Sequence, residues 1–186
     1  MNREETSTKM QIVNKAVELF KEYGFQNVSV STICESVGIT RSAFYYYFKT
    51  KDEIFDYYLL TPELYIMENI IPVLKASNYR SQFIMIFELF LQRIAEVGPE
   101  ITGFVFKRNI DASVQNIAPQ DITMWKTYVS LIKNAKELGE INNKMDAESI
   151  VETIIHLING IGIVWCNKKG SFDYVQECRR KIENII

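Results

Sequence analysis

Hydrophobic residues recur along this chain at intervals of three and four, the spacing of one helical face, and rarely at the interval of two that marks a half-buried strand. The pattern predicts an all-α protein of about nine helices. Five of the eight glycines, Gly24, Gly38, Gly98, Gly139 and Gly170, fall between the periodic stretches, where a left-handed residue closes a helix.

The first helix is predicted over 7–23, with Ile12, Ala16, Leu19 and Phe20 on one face and Glu18, Lys21 and Glu22 outside. Ser29 is placed to cap a second helix over 30–37, whose inward residues are Ile33, Cys34 and Val37. Gly38 and Ile39 form a tight turn, and Thr40 caps a third helix over 41–48 with Phe44 and Phe48 facing the core. Two short helices joined by so short a turn make a helix-turn-helix. A fourth helix starts at Lys51 and returns Ile54, Phe55 and Tyr58 to the same core. Pro62 must kink or interrupt it, and Thr61-Pro62-Glu63 reads as a fresh cap and first turn. Further helices are predicted over 81–97, 99–109, 119–138, 146–167 and 172–185. The expected organisation is an N-terminal domain over 1–50 and a larger helical domain over 51–186.

Composition narrows the function classes. At 47% hydrophobic and 24% charged, the 186-residue chain has an ordinary globular mix. Its longest apolar candidate, from Ile154 to Trp165, is broken by His156 and Asn159, short of the roughly 18 uninterrupted apolar residues of a membrane span. The first nine residues are polar, unlike a secretory signal, so a cytoplasmic protein without a membrane partner is expected. Cys34, Cys166 and Cys178 are odd in number and lack metal-ligand spacing, so neither a disulfide framework nor a metal site is expected. With His156 the single histidine, a Ser-His-Asp arrangement would have to pass through that residue. An enzyme is therefore not the expectation, and no cofactor is implied. Net charge is −2, yet the chain up to Asp52 carries seven Lys and Arg against six Asp and Glu, and the rest 14 against 17. This small asymmetry permits nucleic-acid binding at the N-terminal end.

An ordered run of residues points further: Ile12, Ala16, Leu19, Phe20, Gly24, Ser29-Val30-Ser31-Thr32-Ile33, Gly38-Ile39-Thr40, Phe44-Tyr45-Tyr46-Tyr47-Phe48 and Lys51-Asp52-Glu53-Ile54-Phe55. Over about a quarter of the chain this segment resembles the N-terminal DNA-binding domain of the TetR family of bacterial transcriptional regulators. The resemblance implies a homodimer whose third helix enters the DNA major groove, with a C-terminal domain for effector binding and dimerisation. It places Thr40, Arg41, Ser42, Tyr45, Tyr46 and Tyr47 at DNA-contacting positions and Lys51 at a phosphate. Tyr47 departs from the histidine that many relatives carry. Arg41 and Ser42 open the recognition helix, where side chains reach base edges and arginine can bind guanine bidentately. Tyr45 and Tyr47 can donate hydroxyls to phosphates. The Lys51 ammonium would add to the backbone donors at the start of the fourth helix.

The C-terminal part is rich in aromatics, which serve equally as core or as the lining of an effector cavity. Phe87, Phe104, Trp125, Tyr128 and His156 are the candidates for a ligand site. Glu152, His156 and Asn159 share a helical stripe opposite Ile154, Ile158 and Ile161, which is either solvated or a set of polar anchors in a pocket. The apolar arc over 146–167 is too wide for one neighbour. Ile154, Ile158, Gly160, Ile161, Trp165 and Ile182 are the expected dimer contacts, with Gly160 and Gly162 admitting a close helix. The resemblance therefore implies a repressor that binds an inverted-repeat operator as a dimer and leaves it when a small apolar or amphipathic molecule binds. The alternative is a regulator of the same fold controlled by a protein partner, or one without a small-molecule effector.

Overall fold

The computed structural model describes residues 3–60, 69–111 and 123–186, and every regular element among them is helical. The chain divides into two compact units, Met1–Pro62 and Glu63–Ile186.

The first unit holds α1 (Arg3–Tyr23), a single 3₁₀ turn (Phe25–Asn27), α2 (Val30–Val37), α3 (Arg41–Tyr47) and α4 (Glu53–Leu60). Its core is Ile12, Val13, Ala16, Phe20, Phe25, Ile33, Phe44, Phe48, Ile54 and Phe55, all buried. A division after residue 50 would cut this core. Phe55 of α4 lies against Phe20 and Phe25 with ring centroids 4.9 and 5.0 Å away, contacts that stabilise beyond simple burial. Gly38 closes α2 at φ 77°, ψ 33°, and the N–H groups of Gly38 and Ile39 both reach the Cys34 carbonyl, at 2.9 and 3.0 Å. A side chain at that φ would strain the turn between the two short helices.

The second unit holds α5 (Ile70–Leu74), α6 (Tyr79–Asp111), α7 (Thr123–Glu137), α8 (Ala147–Asn167) and α9 (Tyr174–Glu183). Two arms make up α6, meeting at Gly98 (φ 84°, ψ 167°), a conformation open essentially to glycine alone, and Pro99 starts the second arm. α6 packs against α7, α8 and α9 around Phe83, Phe87, Leu91, Ile132, Ile150 and Ile154. The short helix α5 has no counterpart in the hydrophobic pattern: it is one turn long and carries Pro72, whose missing donor costs nothing so near a helix start. The expected break at Pro62, and residues 119–122 of the expected helix over 119–138, lie outside the described residues.

Among the described residues, α8 is the one helix whose length and mean hydropathy, 1.6 over its most apolar window, would suit a membrane span. The fold puts part of that apolarity inside the unit: Ile150, Val151, Ile154, Ile158, Gly162 and Trp165 are buried.

Candidate nucleic-acid interface

The helix-turn-helix is built from local chemistry. Ser29 Oγ accepts the Thr32 N–H at 3.1 Å, satisfying a donor that the start of α2 leaves open. Thr40 Oγ1 does the same for the Ala43 N–H of α3, also at 3.1 Å. Phe44 and Phe48, one turn apart, are fully buried and fix which side of α3 faces the core. Arg41, Ser42, Tyr45 and Tyr46 then project outward, with Tyr46 71% exposed, while Tyr47 is half-buried. Aromatic edges brace the outward residues: Tyr45 stands edge-on to Phe44 at 5.5 Å, and Tyr47 edge-on to Tyr46 at 5.0 Å.

Lys51 is arranged otherwise than the sequence reading expects. Its ammonium turns inward and donates to the carbonyls of Phe25 (2.8 Å) and Val28 (2.9 Å), with the Phe25 ring face 4.2 Å from Nζ. Burial holds its pKa below the ordinary lysine value, with the Asp52 carboxylate acting in the opposite direction. At the start of α4, Glu53 folds back and accepts the Lys49 N–H at 2.8 Å, while its own N–H reaches Thr50 Oγ1 at 3.4 Å. A second amine escapes any sequence signal. Lys9 of α1 sits over the Tyr57 ring at 4.1 Å and the Phe48 ring at 5.2 Å, tying α1 to α4 and the end of α3.

In the second unit the ligand candidates separate. Phe87 and Tyr128 are buried with ring centroids 4.3 Å apart, and Phe83 joins them at 4.8 and 5.8 Å. Trp125 is buried and Phe104 half-buried. His156 does not join this cluster. It is exposed and lies on an open groove of about 1370 Å³ between α8 and α9, because its position on α8 falls opposite Ile154 and Ile158. Asn159, expected on the same stripe, turns partly inward and its amide nitrogen is buried without a hydrogen-bond partner.

The expected dimer contacts also split. Ile154, Ile158, Trp165 and Ile182 are not available to a partner, since 5% or less of each is exposed within its own chain. Packing of α8 against α6, α7 and α9 consumes that side of the apolar arc. Trp165 stacks on Tyr174 at 5.1 Å and donates Nε1–H to the Phe172 carbonyl at 3.1 Å. Gly162 is likewise filled by its own chain, through Phe106. What faces outward on α8 is exposed Gly160 and Val164 with half-buried Leu157 and Ile161, all lining the open groove.

Residues 12–58 match the family model of bacterial regulatory proteins, tetR family. Over 98% of its length the chain is 22% identical to the HTH-type transcriptional repressor BepR of Brucella suis biovar 1 (strain 1330), covering 92% of that protein. Its fold is similar to that of a TetR transcription regulator from Haloarcula marismortui ATCC 43049, with a TM-score of 0.69 at 15% identity over 97% of this chain and 96% of that one. The fold is also similar to Thermus thermophilus FadR, a repressor solved in complex with lauroyl-CoA, with a TM-score of 0.62 at 15% identity over 95% and 92% of the two chains. Residues 12–58 thus carry the segment described by the tetR-family model of bacterial regulatory proteins, and the all-helical fold of the chain is similar to those of solved TetR-family regulators.

Proposed function

We propose that the chain is a repressor that binds an inverted-repeat operator as a two-fold dimer and is released by a small apolar or amphipathic molecule bound in the second unit. The observation that carries the DNA reading is α3. Phe44 and Phe48 anchor one side, so that Arg41, Ser42, Tyr45 and Tyr46 stand together on the other. In this reading Arg41 and Ser42 read base edges, while Thr40, Tyr45, Tyr46 and Tyr47 offer hydroxyls to the sugar-phosphate backbone. Dimerisation uses the outward strip of α8, Leu157, Gly160, Ile161 and Val164, which leaves apolar side chains beside a groove. Cytoplasmic location follows from this role.

The effector reading draws on the aromatic cluster of Phe83, Phe87 and Tyr128, with buried Trp125 three residues before Tyr128 and half-buried Phe104 on α6, and on the acyl-CoA found with the structurally similar FadR. Such a ligand acts by favouring the state with low DNA affinity, since equal affinity for both states shifts nothing. The role is one of binding rather than catalysis, as it is for the regulators this chain is similar to.

The test is selection of duplexes from a random library by the intact chain, followed by titration of the enriched duplex with lauroyl-CoA, stearoyl-CoA, free dodecanoate and choline. The reading expects one enriched inverted repeat and its release by a long-chain amphiphile. By linkage, the duplex must weaken that amphiphile's binding by the same factor. Failure to enrich any sequence overturns the DNA reading; an enriched duplex that no amphiphile releases overturns the effector reading.

A further inference from the structure

We propose that Lys51 is a positioning residue that closes the two ends of the helix-turn-helix onto each other, rather than a group that touches DNA phosphate. The inference rests on the reading of the first unit as DNA-binding.

The geometry accounts for every direction in which the ammonium can donate. Its three protons meet two carbonyls, at 2.8 and 2.9 Å, and the face of the Phe25 ring. Those carbonyls bracket the 3₁₀ turn Phe25–Asn27, and Val28 immediately precedes Ser29, the cap of α2. Lys51 itself stands just past Phe48, the C-cap of α3. One side chain thus links the entry of α2 to the exit of α3, across 23 and 26 residues of sequence. Val28 would otherwise present a carbonyl at a point where α2 supplies no donor, since Thr32 N–H goes to Ser29 Oγ and Ile33 N–H to the Ser29 carbonyl. Charge-assisted bonds are the stronger kind, and these hold the segment that sets where α3 points. A phosphate would have to compete with all three contacts, in a place where Glu53 already adds a negative charge beside the start of α4.

The experiment uses the intact chain and the duplex it selects, with Lys51→Met, which keeps an unbranched stem but removes the ammonium, and Lys51→Arg, whose fork can reach both carbonyls. Affinity is measured against salt concentration, and amide exchange is followed at Ser31, Thr32 and Ile33 in the free protein. Positioning predicts that Lys51→Met binds roughly tenfold more weakly with an unchanged salt slope and faster exchange in the first turn of α2, and that Lys51→Arg restores both. A salt slope that falls by about 0.9 per protomer in Lys51→Met would make Lys51 a phosphate contact and overturn the proposal. Unchanged affinity overturns it as well. If Lys51→Met does not fold, the ¹⁵Nζ resonance of Lys51 in the wild type decides: the same position with and without duplex supports the clamp, and a shift on binding refutes it. If the wild type selects no duplex, the DNA reading fails on its own, while the amide exchange still tests the clamp.

Discussion

The ring of Phe106 lies where a side chain on Gly162 would project: its Cε2 and Cζ atoms are 3.0 Å from the position a Cβ would occupy. Two residues earlier, Gly160 has no atom from beyond its own stretch of helix backbone within 4 Å of the same position. The two glycines of α8 therefore do different things, one admitting a ring of its own chain and the other facing out.

Alanine at each position separates them. In a Val164→Glu background, where no partner covers the strip, Gly160→Ala should stabilise the helix by up to about 1 kcal/mol, the propensity difference between the two residues. Gly162→Ala gains the same propensity but must push Phe106 aside, an overpacking cost of about 1–3 kcal/mol, so it should be less stable than Gly160→Ala by about that amount. Urea unfolding of both variants at one protein concentration checks this; equal stabilisation would remove the Phe106 contact from the account.

Arg41→Ala should cost about 1–3 kcal/mol of binding per half-site and relax preference at one base position only. The comparison is binding of wild type and variant to the selected duplex and to each of its single-base substitutions. A uniform loss across all of them would reassign Arg41 to the phosphate backbone.

Val164 is 46% exposed on the outward strip of α8, so a charge there is tolerated by the single chain. Val164→Glu should give a folded monomer in sedimentation analysis, with helicity retained and duplex affinity lost, because half-sites are read in pairs. A dimer of wild-type stability would place the interface elsewhere.

Stability should fall in alkali through Cys178. Burial pushes this thiol up to about 12, with the Tyr174 hydrogen bond opposing and Glu177 adding to the shift. A pKa raised in the folded state contributes stability that is whole below the unfolded thiol's value of about 8.5 and is lost as pH climbs toward the folded one. Urea unfolding at about pH 8 and about pH 10 should show a decline, of at most about 1.4 kcal/mol per pH unit from this group. Cys178→Ala should flatten it. Buried Tyr174, also shifted upward by desolvation first, adds its own decline at higher pH. An identical slope in Cys178→Ala would exclude the thiol as the source.

Local chemistry was legible in the sequence where it depends on neighbours in the chain. Gly24, Gly38, Gly98, Gly139 and Gly170 all take positive φ, and Ser29 and Thr40 both cap the helices they precede. Phe44 and Phe48 likewise face inward as their spacing requires. What was not legible depends on distant partners. Nothing near Lys51 in sequence announces carbonyls 23 and 26 residues away. A wide apolar arc on α8 shows that two sides must be covered, yet periodicity cannot assign Ile154 and Ile158 to the chain's own core and Val164 to the outside. His156 and Asn159 looked like one stripe because a helical wheel carries no knowledge of which neighbour stands at its edge.

The most direct test of the central claim is the protection pattern of the intact chain on its selected duplex, read together with the number of protomers bound. The account predicts two protomers on two inverted half-sites about one helical turn apart, or a multiple of that distance, with protection in successive major grooves and loss of both half-sites together in Val164→Glu. A single protected half-site with one protomer bound at full affinity, or protection without sequence preference, would contradict it.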